Sequence, residues 1–410
     1  MKFGLLGRKL GHSYSPVIHK KLGDYSYELF EREPGEIEDL IKRSDIHGLN
    51  VTIPYKEEVM KYCDEIRERA SSIGCVNTIF KTDSGKIIGD NTDYAGFEYI
   101  LDRNSIETEN KTVLILGNGA TSKTVAAVLK DRNAKVVKLG RSTSPSLKDI
   151  YDYADADIIV NTTPVGMYPN NLESLVDLKR FSKLTAVLDV VYNPMRTKLI
   201  LDARKLGIVN SDGLPMLVVQ AVAATEIFQN KNISNNLIEE IITDLRRETG
   251  NIVLVGMPGS GKSTIGRLIA EKSGKVFIDT DELIEQKSGM VIPLIFEKYG
   301  EEHFRKLEID AVREAGKKTG CVISTGGGVV TRMENYEPLI QNGRVYFIER
   351  DLQKLSTGGR PLSKDMDAVN SLWENRKDLY EFFSDKSVNN TVINETAESI
   401  LEDFYENIAD

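Results

Sequence analysis

Short apolar runs alternate with helical patterns along almost the whole chain. The clearest strand-like runs are residues 112–116, 135–139, 157–161, 186–191, 252–255 and 275–278. A helical pattern covers roughly residues 214–229. Strands that alternate with helices favour parallel sheets covered by helices. The pattern therefore predicts an α/β protein whose sheets are mostly parallel.

The chain is longer than one hydrophobic core usually supports, since it has 410 residues. We place the main boundary near residue 248, in a short polar connection within the charged stretch 244–250. The first part, residues 1–248, contains a Rossmann-type layout at 104–213. The second part, residues 249–410, is predicted to be a separate α/β domain with a parallel sheet.

Composition narrows the class of protein. Hydrophobic residues make up 40% and charged residues 28%, as in ordinary globular proteins. A formal net charge of −9 argues against a general nucleic-acid or membrane-surface binder. Cys63, Cys75 and Cys321 form no CxxC pair, and the first residues lack a signal-peptide pattern. We expect a cytoplasmic protein that acts on small molecules, and its oligomeric state stays open.

Residues 256–264 match the phosphate-binding pattern G-x-x-x-x-G-K-[ST]. An apolar run precedes this loop and a helical pattern follows it, so backbone N–H groups can converge on phosphates. Lys262 is predicted to reach the β- and γ-phosphates and Ser263 to hold Mg²⁺. A chance glycine-rich turn is the alternative, but the register of strand, loop and helix favours a nucleotide. The predicted ATP contacts in this loop are Gly259, Ser260, Gly261, Lys262, Ser263 and Thr264.

A second nucleotide-type turn, Gly117-x-Gly119-x-x-Ser122, follows the strand at 112–116. It is a degraded form of the dinucleotide-binding pattern, in which small residues allow close approach of a pyrophosphate. About twenty residues later stands Arg141, where an NAD enzyme has an acidic residue. An arginine there suits the 2′-phosphate of NADP, and a solvated loop arginine is the alternative. The predicted NADP contacts are Gly117, Gly119, Ala120, Ser122, Arg141 and Gly213.

Polar clusters recur in the first hundred residues, and each alone is typical of turns and helix caps. They are Ser13-Tyr14-Ser15-Pro16, Asn50-Val51-Thr52-Ile53-Pro54-Tyr55-Lys56, Gly74-Cys75-Val76-Asn77-Thr78 and Asn91-Thr92-Asp93. Further motifs follow at 161–167, 189–194 and 212–221. In this order the motifs resemble shikimate dehydrogenase over residues 1 to about 240. Departures from the family pattern stand at Asn118, Ala120, Gly140 and Pro215.

The resemblance implies NADPH-dependent reduction of 3-dehydroshikimate, with residues 1–103 and 214–240 as the substrate-binding part. It implies that Lys56 and Asp93 form the catalytic pair. A lysine ammonium beside a carboxylate can supply the proton that an alkoxide needs after hydride transfer. The residues it implies for hydrogen bonding to substrate are Ser13, Ser15, Thr52, Asn77 and Gln220.

In the second part, Asp279 and Asp281 follow the strand-like run at 275–278. Carboxylates at this end of a parallel strand face the ligand crevice, although either one could instead cap the next helix. Later motifs are Phe304-Arg305-Lys306-Leu307-Glu308, Thr325-Gly326-Gly327-Gly328, Gly359-Arg360-Pro361-Leu362 and Arg376-Lys377-Asp378-Leu379-Tyr380. This set is similar to shikimate kinase over about residues 250–385.

The kinase resemblance implies a role for each motif. Ser263 and Asp279 would hold Mg²⁺, and Asp281 would contact substrate hydroxyls and act as the base. Arg305 and Arg376 would bind the substrate carboxylate, which suits the guanidinium fork. Gly327 and Gly328 would approach the substrate, and Arg360 would lie in a lid over the ATP phosphates, with an exposed loop arginine as the alternative.

Together the two resemblances predict a bifunctional enzyme in which the product of the first part is the substrate of the second. Two alternatives stay open: an NAD-linked quinate or quinate/shikimate dehydrogenase fused to a small-molecule kinase, and a non-catalytic regulatory fusion. Arg141 argues against the first, and the presence of Lys56, Asp93, Lys262, Ser263 and Asp281 argues against the second.

Overall fold

A computed structural model describes residues 1–11, 13–355 and 366–408. By contacts the chain divides into two compact units. The first unit comprises Met1–Asn193 and Leu199–Ile242, and the second comprises Pro194–Lys198 and Thr243–Asp410.

The first unit begins with a mixed six-stranded sheet. Its strands are β1 (Lys2–Gly7), β2 (Ser26–Glu31), β3 (Ile46–Val51), β4 (Glu65–Ile66), β5 (Thr78–Lys81) and β6 (Ile87–Asp90), in the spatial order β2-β1-β3-β5-β6-β4. β1 is parallel to β2 and β3, whereas β5 is antiparallel to β3 and β6. The ends of β3 and β6 and the start of β5 therefore meet at one edge of the sheet.

The second sheet of this unit is parallel throughout. Its strands are β7 (Thr112–Leu116), β8 (Lys135–Leu139), β9 (Ile158–Asn161), β10 (Ala186–Asp189) and β11 (Val209–Ser211), in the order β11-β10-β9-β7-β8. Residues 113–116 of β7 are completely buried, as expected for a central strand covered on both faces. The predicted α/β architecture with parallel sheets is confirmed.

Eight helices accompany these strands in the described residues. They are α1 (Ser15–Leu22), α2 (Ile37–Lys42), α3 (Glu68–Ile73), α4 (Asp93–Arg103), α5 (Ala120–Asp131), α6 (Lys198–Lys205), α7 (Leu214–Gln229) and α8 (Asn235–Thr249). α4 packs along α7, where Gly96 fits so closely that a Cβ on it would lie 2.6 Å from the Met216 carbonyl oxygen.

The prediction of a short polar connection at residues 244–250 is wrong, because α8 continues to Thr249. Ile238, Ile241, Ile242 and Leu245 are buried at helical spacing, while polar and charged residues occupy the positions between them. The apolar stripe stabilises the helix although charged residues are frequent in it. Only Gly250 separates the helix from the next strand.

The second unit is built on a parallel sheet in the order β13-β14-β12-β15-β16. The strands are β12 (Asn251–Val255), β13 (Val276–Asp279), β14 (Cys321–Ser324), β15 (Gly343–Glu349) and β16 (Lys386–Asn389). The helices are α9 (Lys262–Ser273), α10 (Thr280–Ser288), α11 (Ile292–Gly316, kinked at Gly300), α12 (Tyr336–Ile340), α13 (Met366–Phe383) and α14 (Ile393–Asn407). Because β12, β13 and β14 are adjacent and parallel, the loops that follow them share one edge. None of the helices in the described ranges is long and apolar enough to cross a bilayer.

Candidate active sites

The first unit holds a buried lysine–aspartate pair at the common edge of β3, β5 and β6. Lys56 lies in the loop after β3, and Asp93 begins α4 just after β6. The Lys56 Nζ lies 2.6 Å from the Asp93 Oδ2, and the two residues are only 9% and 6% exposed. Removal from water strengthens their attraction and keeps each side chain in one orientation. The structure thus brings together the two residues that the sequence predicts as a catalytic pair.

The predicted substrate contacts lie in loops, at the start of α1 (Ser15) and within α7 (Gln220), and local hydrogen bonds hold them. The Ser15 N–H donates to the Ser13 Oγ at 3.2 Å, and the Gln220 Nε2 donates to the Leu217 carbonyl at 2.9 Å. The Thr52 N–H donates to the Leu6 carbonyl at 2.9 Å. Within the part of the chain that the structure describes, none of these predicted residues hydrogen-bonds to the Lys56–Asp93 pair.

Asn77 is connected to the pair through the backbone. Its Oδ1 accepts a hydrogen bond from the Thr92 N–H at 2.7 Å, and Thr92 directly precedes Asp93. The Thr92 hydroxyl in turn lies 2.9 Å from the Thr78 hydroxyl. Asn77 therefore helps to position the start of α4.

A buried network that the sequence analysis missed extends behind these residues. The Tyr27 hydroxyl donates to the Asn50 Oδ1 at 2.8 Å, and the Asn50 Nδ2 donates to the Thr78 Oγ1 at 3.2 Å. Asn50 and Thr78 both lie in the quoted motifs. Because they are far apart in the chain, the motifs do not show that their side chains contact each other. The network joins β2, β3 and β5.

The dinucleotide turn lies between β7 and α5. Gly117 has a φ of 124°, and a Cβ there would lie 2.4 Å from the Thr162 Oγ1, so only glycine fits. Ser122 is fully buried and donates from its Oγ to the Gly119 carbonyl at 2.7 Å. Ala120 is the first residue of α5, and Gly213 directly precedes α7. The turn before α5 carries small residues, so its backbone is accessible to a pyrophosphate.

Arg141 lies in the turn after β8 and is exposed. The described residues supply no hydrogen bond or salt bridge to its guanidinium. The turn itself is held by the Thr143 Oγ1, which accepts from the Gly140 N–H at 2.7 Å and donates to the Pro145 carbonyl at 2.7 Å. The guanidinium is thus available to an anionic ligand.

The phosphate-binding loop of the second unit connects β12 to α9. The Lys262 Nζ is buried and donates to the Gly256 and Met257 carbonyls at 2.8 and 3.0 Å. The Ser260 Oγ is buried and has no partner among the described residues. The loop therefore encloses buried polar groups around the position where phosphate oxygens bind in such loops. Gly259, Gly261 and Thr264 complete the predicted set.

Asp279 contacts the phosphate loop and also caps the next helix. The Ser263 Oγ donates to its Oδ2 at 2.7 Å, while its Oδ1 accepts the Asp281 N–H at 3.0 Å and so caps α10. The hydroxyl and carboxylate oxygens next to the loop are the hard ligands that Mg²⁺ prefers. The residues present therefore fit a magnesium ion.

Two carboxylates beside the loop each have a buried oxygen without a partner among the described residues: Asp281 Oδ1 and Glu308 Oε1. A Cβ on Gly326 would lie 2.6 Å from the first oxygen and 3.0 Å from the second, so both face one small space. Burial, then the negative charges of Asp279 and Glu308, raise the pKa of Asp281 to about 7. Burial also raises the pKa of Glu308. The sequence analysis missed Glu308, although it lies one helical turn after Arg305 in a quoted motif.

The two predicted arginines reach the same glycine segment. Arg305 donates from Nη1 to the Glu308 Oε2 at 2.9 Å and from Nη2 to the Glu301 Oε1 at 2.7 Å. Its guanidinium also packs against Gly328, while the Arg376 Nη1 donates to the Gly327 carbonyl at 3.0 Å. Both arginines are buried. Arg360, the predicted lid residue, lies outside the described residues.

These sites define the class of protein: a nucleotide-dependent oxidoreductase joined to a phosphate-loop kinase. Family models match at both ends of the chain. One described as "Shikimate dehydrogenase substrate binding domain" matches residues 5–79, and one described as "Shikimate kinase" matches residues 258–408.

Individual relatives match the dehydrogenase part. The shikimate dehydrogenase (NADP(+)) of Clostridium perfringens (strain SM101) is 38% identical over 266 residues, which is 60% of this chain and 98% of that protein. The shikimate dehydrogenase (NADP(+)) of Methanococcus maripaludis (strain C6) is 37% identical over 255 residues, or 56% of this chain and 91% of that protein.

Among solved structures, a chorismate mutase/shikimate 5-dehydrogenase fusion protein from Clostridium acetobutylicum is 38% identical, with a TM-score of 0.55, over 59% of this chain and 96% of that one. A shikimate 5-dehydrogenase from Thermus thermophilus, in complex with NADP(H) and shikimate, is 28% identical, with a TM-score of 0.53, over 60% of this chain and 99% of that one.

The chain belongs to the shikimate dehydrogenase family over its N-terminal part and carries a shikimate kinase domain at its C-terminal end. It is a bifunctional enzyme that combines an NADP-dependent oxidoreductase with an ATP-dependent transferase.

Proposed function

We propose that the first unit reduces 3-dehydroshikimate to shikimate with NADPH, and that the second unit phosphorylates shikimate to shikimate 3-phosphate with Mg·ATP. The observation that carries the first reaction is the buried Lys56–Asp93 pair. The second is supported by the unpartnered oxygens of Asp281 and Glu308 beside the phosphate loop.

In the reduction, NADPH supplies the hydride when it is bound. The substrate carbonyl then becomes an alkoxide, which takes a proton from the Lys56 ammonium. Asp93 holds that ammonium in position, since its Oδ2 lies 2.6 Å from the Nζ. The neutral amine regains its proton from solvent before the next turnover.

Gly117, Gly119, Ala120, Ser122 and Gly213 are proposed to form the dinucleotide site, with Arg141 binding the 2′-phosphate. The exposed guanidinium of Arg141, which has no partner among the described residues, supports NADP over NAD. We expect Arg141→Gln to raise the KM for NADPH about tenfold and to leave the KM for NADH unchanged, because only a phosphate contact is lost. Initial rates with each cofactor test this, with Arg180→Gln at another exposed position as the control.

In the phosphoryl transfer, Asp281 is proposed to accept the proton of the attacking shikimate hydroxyl. Its pKa of about 7 suits a general base near neutral pH. Lys262 would exchange its loop carbonyls for phosphate oxygens, and Ser263 with Asp279 would hold Mg²⁺, which screens phosphate charge.

Recognition of shikimate in the second unit is proposed to use opposite kinds of group. Arg305 and Arg376 offer donors to the carboxylate, whereas Asp281 and Glu308 offer acceptors to hydroxyl groups. Gly327 and Gly328 leave the backbone accessible beside the ring. Ser13, Ser15, Thr52, Asn77 and Gln220 are proposed to bind the same class of molecule in the first unit.

The decisive experiment supplies the full chain with 3-dehydroshikimate, NADPH and Mg·ATP and identifies products by mass. Shikimate 3-phosphate is expected with all components, and shikimate alone is expected when ATP is omitted. Shikimate with Mg·ATP should give the phosphate ester without NADPH. Absence of both products would refute the proposal, and a higher rate with NADH would favour the NAD-linked alternative.

A further inference from the structure

A separate cavity of about 520 Å³ lies in the first unit, apart from the residues assigned to the dehydrogenase site. Its size is within the range of small-molecule pockets. Residues 90–92 and Ala95 form one wall, and α7 with the turn that follows it forms the other. The charged residues of the lining are Arg67, Arg69, Asp90, Glu226 and Lys231.

The charges around this cavity do not cancel. Arg67 and Asp90 form a salt bridge of 2.6 Å and neutralise each other. The Arg69 guanidinium lies 4.1 Å from the centre of the Tyr94 ring, and the Lys231 Nζ donates to the Leu22 carbonyl at 2.8 Å. Neither partner carries a charge. Among the lining residues, one acidic side chain remains to balance the positive charges of Arg69 and Lys231.

That acidic residue, Glu226, also has a spare acceptor. Its Oε1 accepts the Ile233 N–H at 2.7 Å, and no described residue donates to its Oε2. The amide side chains of Asn230 and Asn232 line the same side of the cavity. Ala95, Ala223 and Ile227 supply an apolar surface.

We propose that this cavity binds a small organic carboxylate that carries hydrogen-bond donors near its carboxyl group. Arg69 and Lys231 would bind the carboxylate, and Glu226 would accept from a hydroxyl or ammonium group of the ligand. The hydrocarbon part would pack on Ala223 and Ile227. This chemistry fits a cyclic hydroxy-acid and an α-amino acid, and the experiment separates the two.

The cavity is connected to the proposed catalytic pair by the chain itself. Asp90, Asn91 and Thr92 line it, and Asp93 follows them directly. The Thr92 N–H donates to the Asn77 Oδ1, and the Asn91 N–H donates to the Asp90 Oδ1 at 2.7 Å. A ligand that draws the Arg69 guanidinium away from the Tyr94 ring would shift the start of α4, because Tyr94 directly follows Asp93. We therefore infer that occupancy changes the dehydrogenase rate, which rests on the function proposed above.

The test titrates the full chain, saturated with 3-dehydroshikimate and free of NADP so that neither acid is turned over, with L-phenylalanine and separately with shikimate. We expect one probe to give a binding component that Arg69→Gln and Lys231→Gln each weaken about tenfold, since each removes a charge-assisted contact. Arg132→Gln, which alters a pair with Asp102 outside the cavity, should leave that component unchanged. The probe that binds identifies the source of the ligand.

Beyond the product inhibition that shikimate causes in every variant, the same probe should change the dehydrogenase rate of the wild type and of Arg132→Gln, but not that of Arg69→Gln. The inference is overturned if neither probe shows a component sensitive to both cavity variants, or if the bound probe leaves the rate unaltered. A chain that binds the probe but reduces no 3-dehydroshikimate would instead contradict the proposed function.

Discussion

The two candidate active sites differ in how far their polar groups are already satisfied. In the first unit, Lys56 and Asp93 are both buried and hydrogen-bonded to each other. In the second unit, Asp281 and Glu308 each have one buried oxygen that is unpartnered among the described residues. The first site holds a charged pair in one geometry, whereas the second keeps acceptors free for a ligand that brings donors. Burial therefore fixes the orientation of the charged pair in the first site, whereas in the second it leaves carboxylate oxygens available to a ligand.

The largest expected effect breaks the paired site. Lys56→Ala should slow reduction of 3-dehydroshikimate by about 10²–10⁴-fold, because the proposed proton donor is removed. Phosphorylation of added shikimate should be unchanged. NADPH oxidation and shikimate 3-phosphate formation are measured separately, with exposed Lys61→Ala as the control. Equal loss of both activities would contradict two independent sites.

Lys262→Ala breaks the other site. It should reduce phosphoryl transfer by about 10²–10³-fold, since a preorganised cation near the transferring phosphate is lost. NADPH oxidation should persist. Lys272→Ala, on the exposed side of α9, should resemble the wild type in both assays. If Lys262→Ala kept full kinase turnover, the loop would not be the ATP site.

The unpartnered carboxylates should give the kinase a characteristic pH dependence. Because Asp281 has a pKa of about 7 and must be ionised to act as a base, kcat should rise with pH through that region. Below it, the rate should fall about tenfold per pH unit.

Glu308→Gln tests the cause of this dependence. Removal of a negative neighbour lowers the pKa of Asp281, so the midpoint of the kcat profile should move to lower pH. Exposed Glu302→Gln on the same helix should leave the midpoint where it is. A profile that Glu308→Gln does not move would show that the two carboxylates are not coupled.

The smallest expected effect is on stability and has opposite signs at the two sites. Asp93→Asn should lower the free energy of unfolding by about 1–3 kcal/mol, because Lys56 loses its charged partner.

The pKa of Asp281 is raised on folding, so the wild type loses stability as pH rises from about 4 to about 7. Asp281→Asn should remove this loss and raise the thermal midpoint at pH 8 relative to the wild type, with little change at pH 4.

Thermal unfolding of the full chain at both pH values measures these shifts. If Asp281→Asn were destabilising at pH 8, the unpartnered oxygen would not be a cost to the folded state.

Several features were predictable because they depend on local patterns. The parallel sheets followed from apolar runs that alternate with helices, and the phosphate loop followed from glycines at fixed spacing before a lysine. Glu308 and Asn50 escaped prediction even though both lie in quoted motifs, because a motif does not say which side chains turn inward. The end of α8 was misjudged for a related reason: its charged residues are frequent, but the apolar stripe between them decides the structure.

By itself, the amino-acid sequence determined the fold class, the family resemblance of each part and the identity of most candidate groups, since these depend on residue type and short-range order. Only the tertiary structure decided which groups meet, as when strand order places Lys56 2.6 Å from Asp93. It also decided which buried oxygens are left without a partner, because burial and hydrogen bonding depend on residues far apart in the chain.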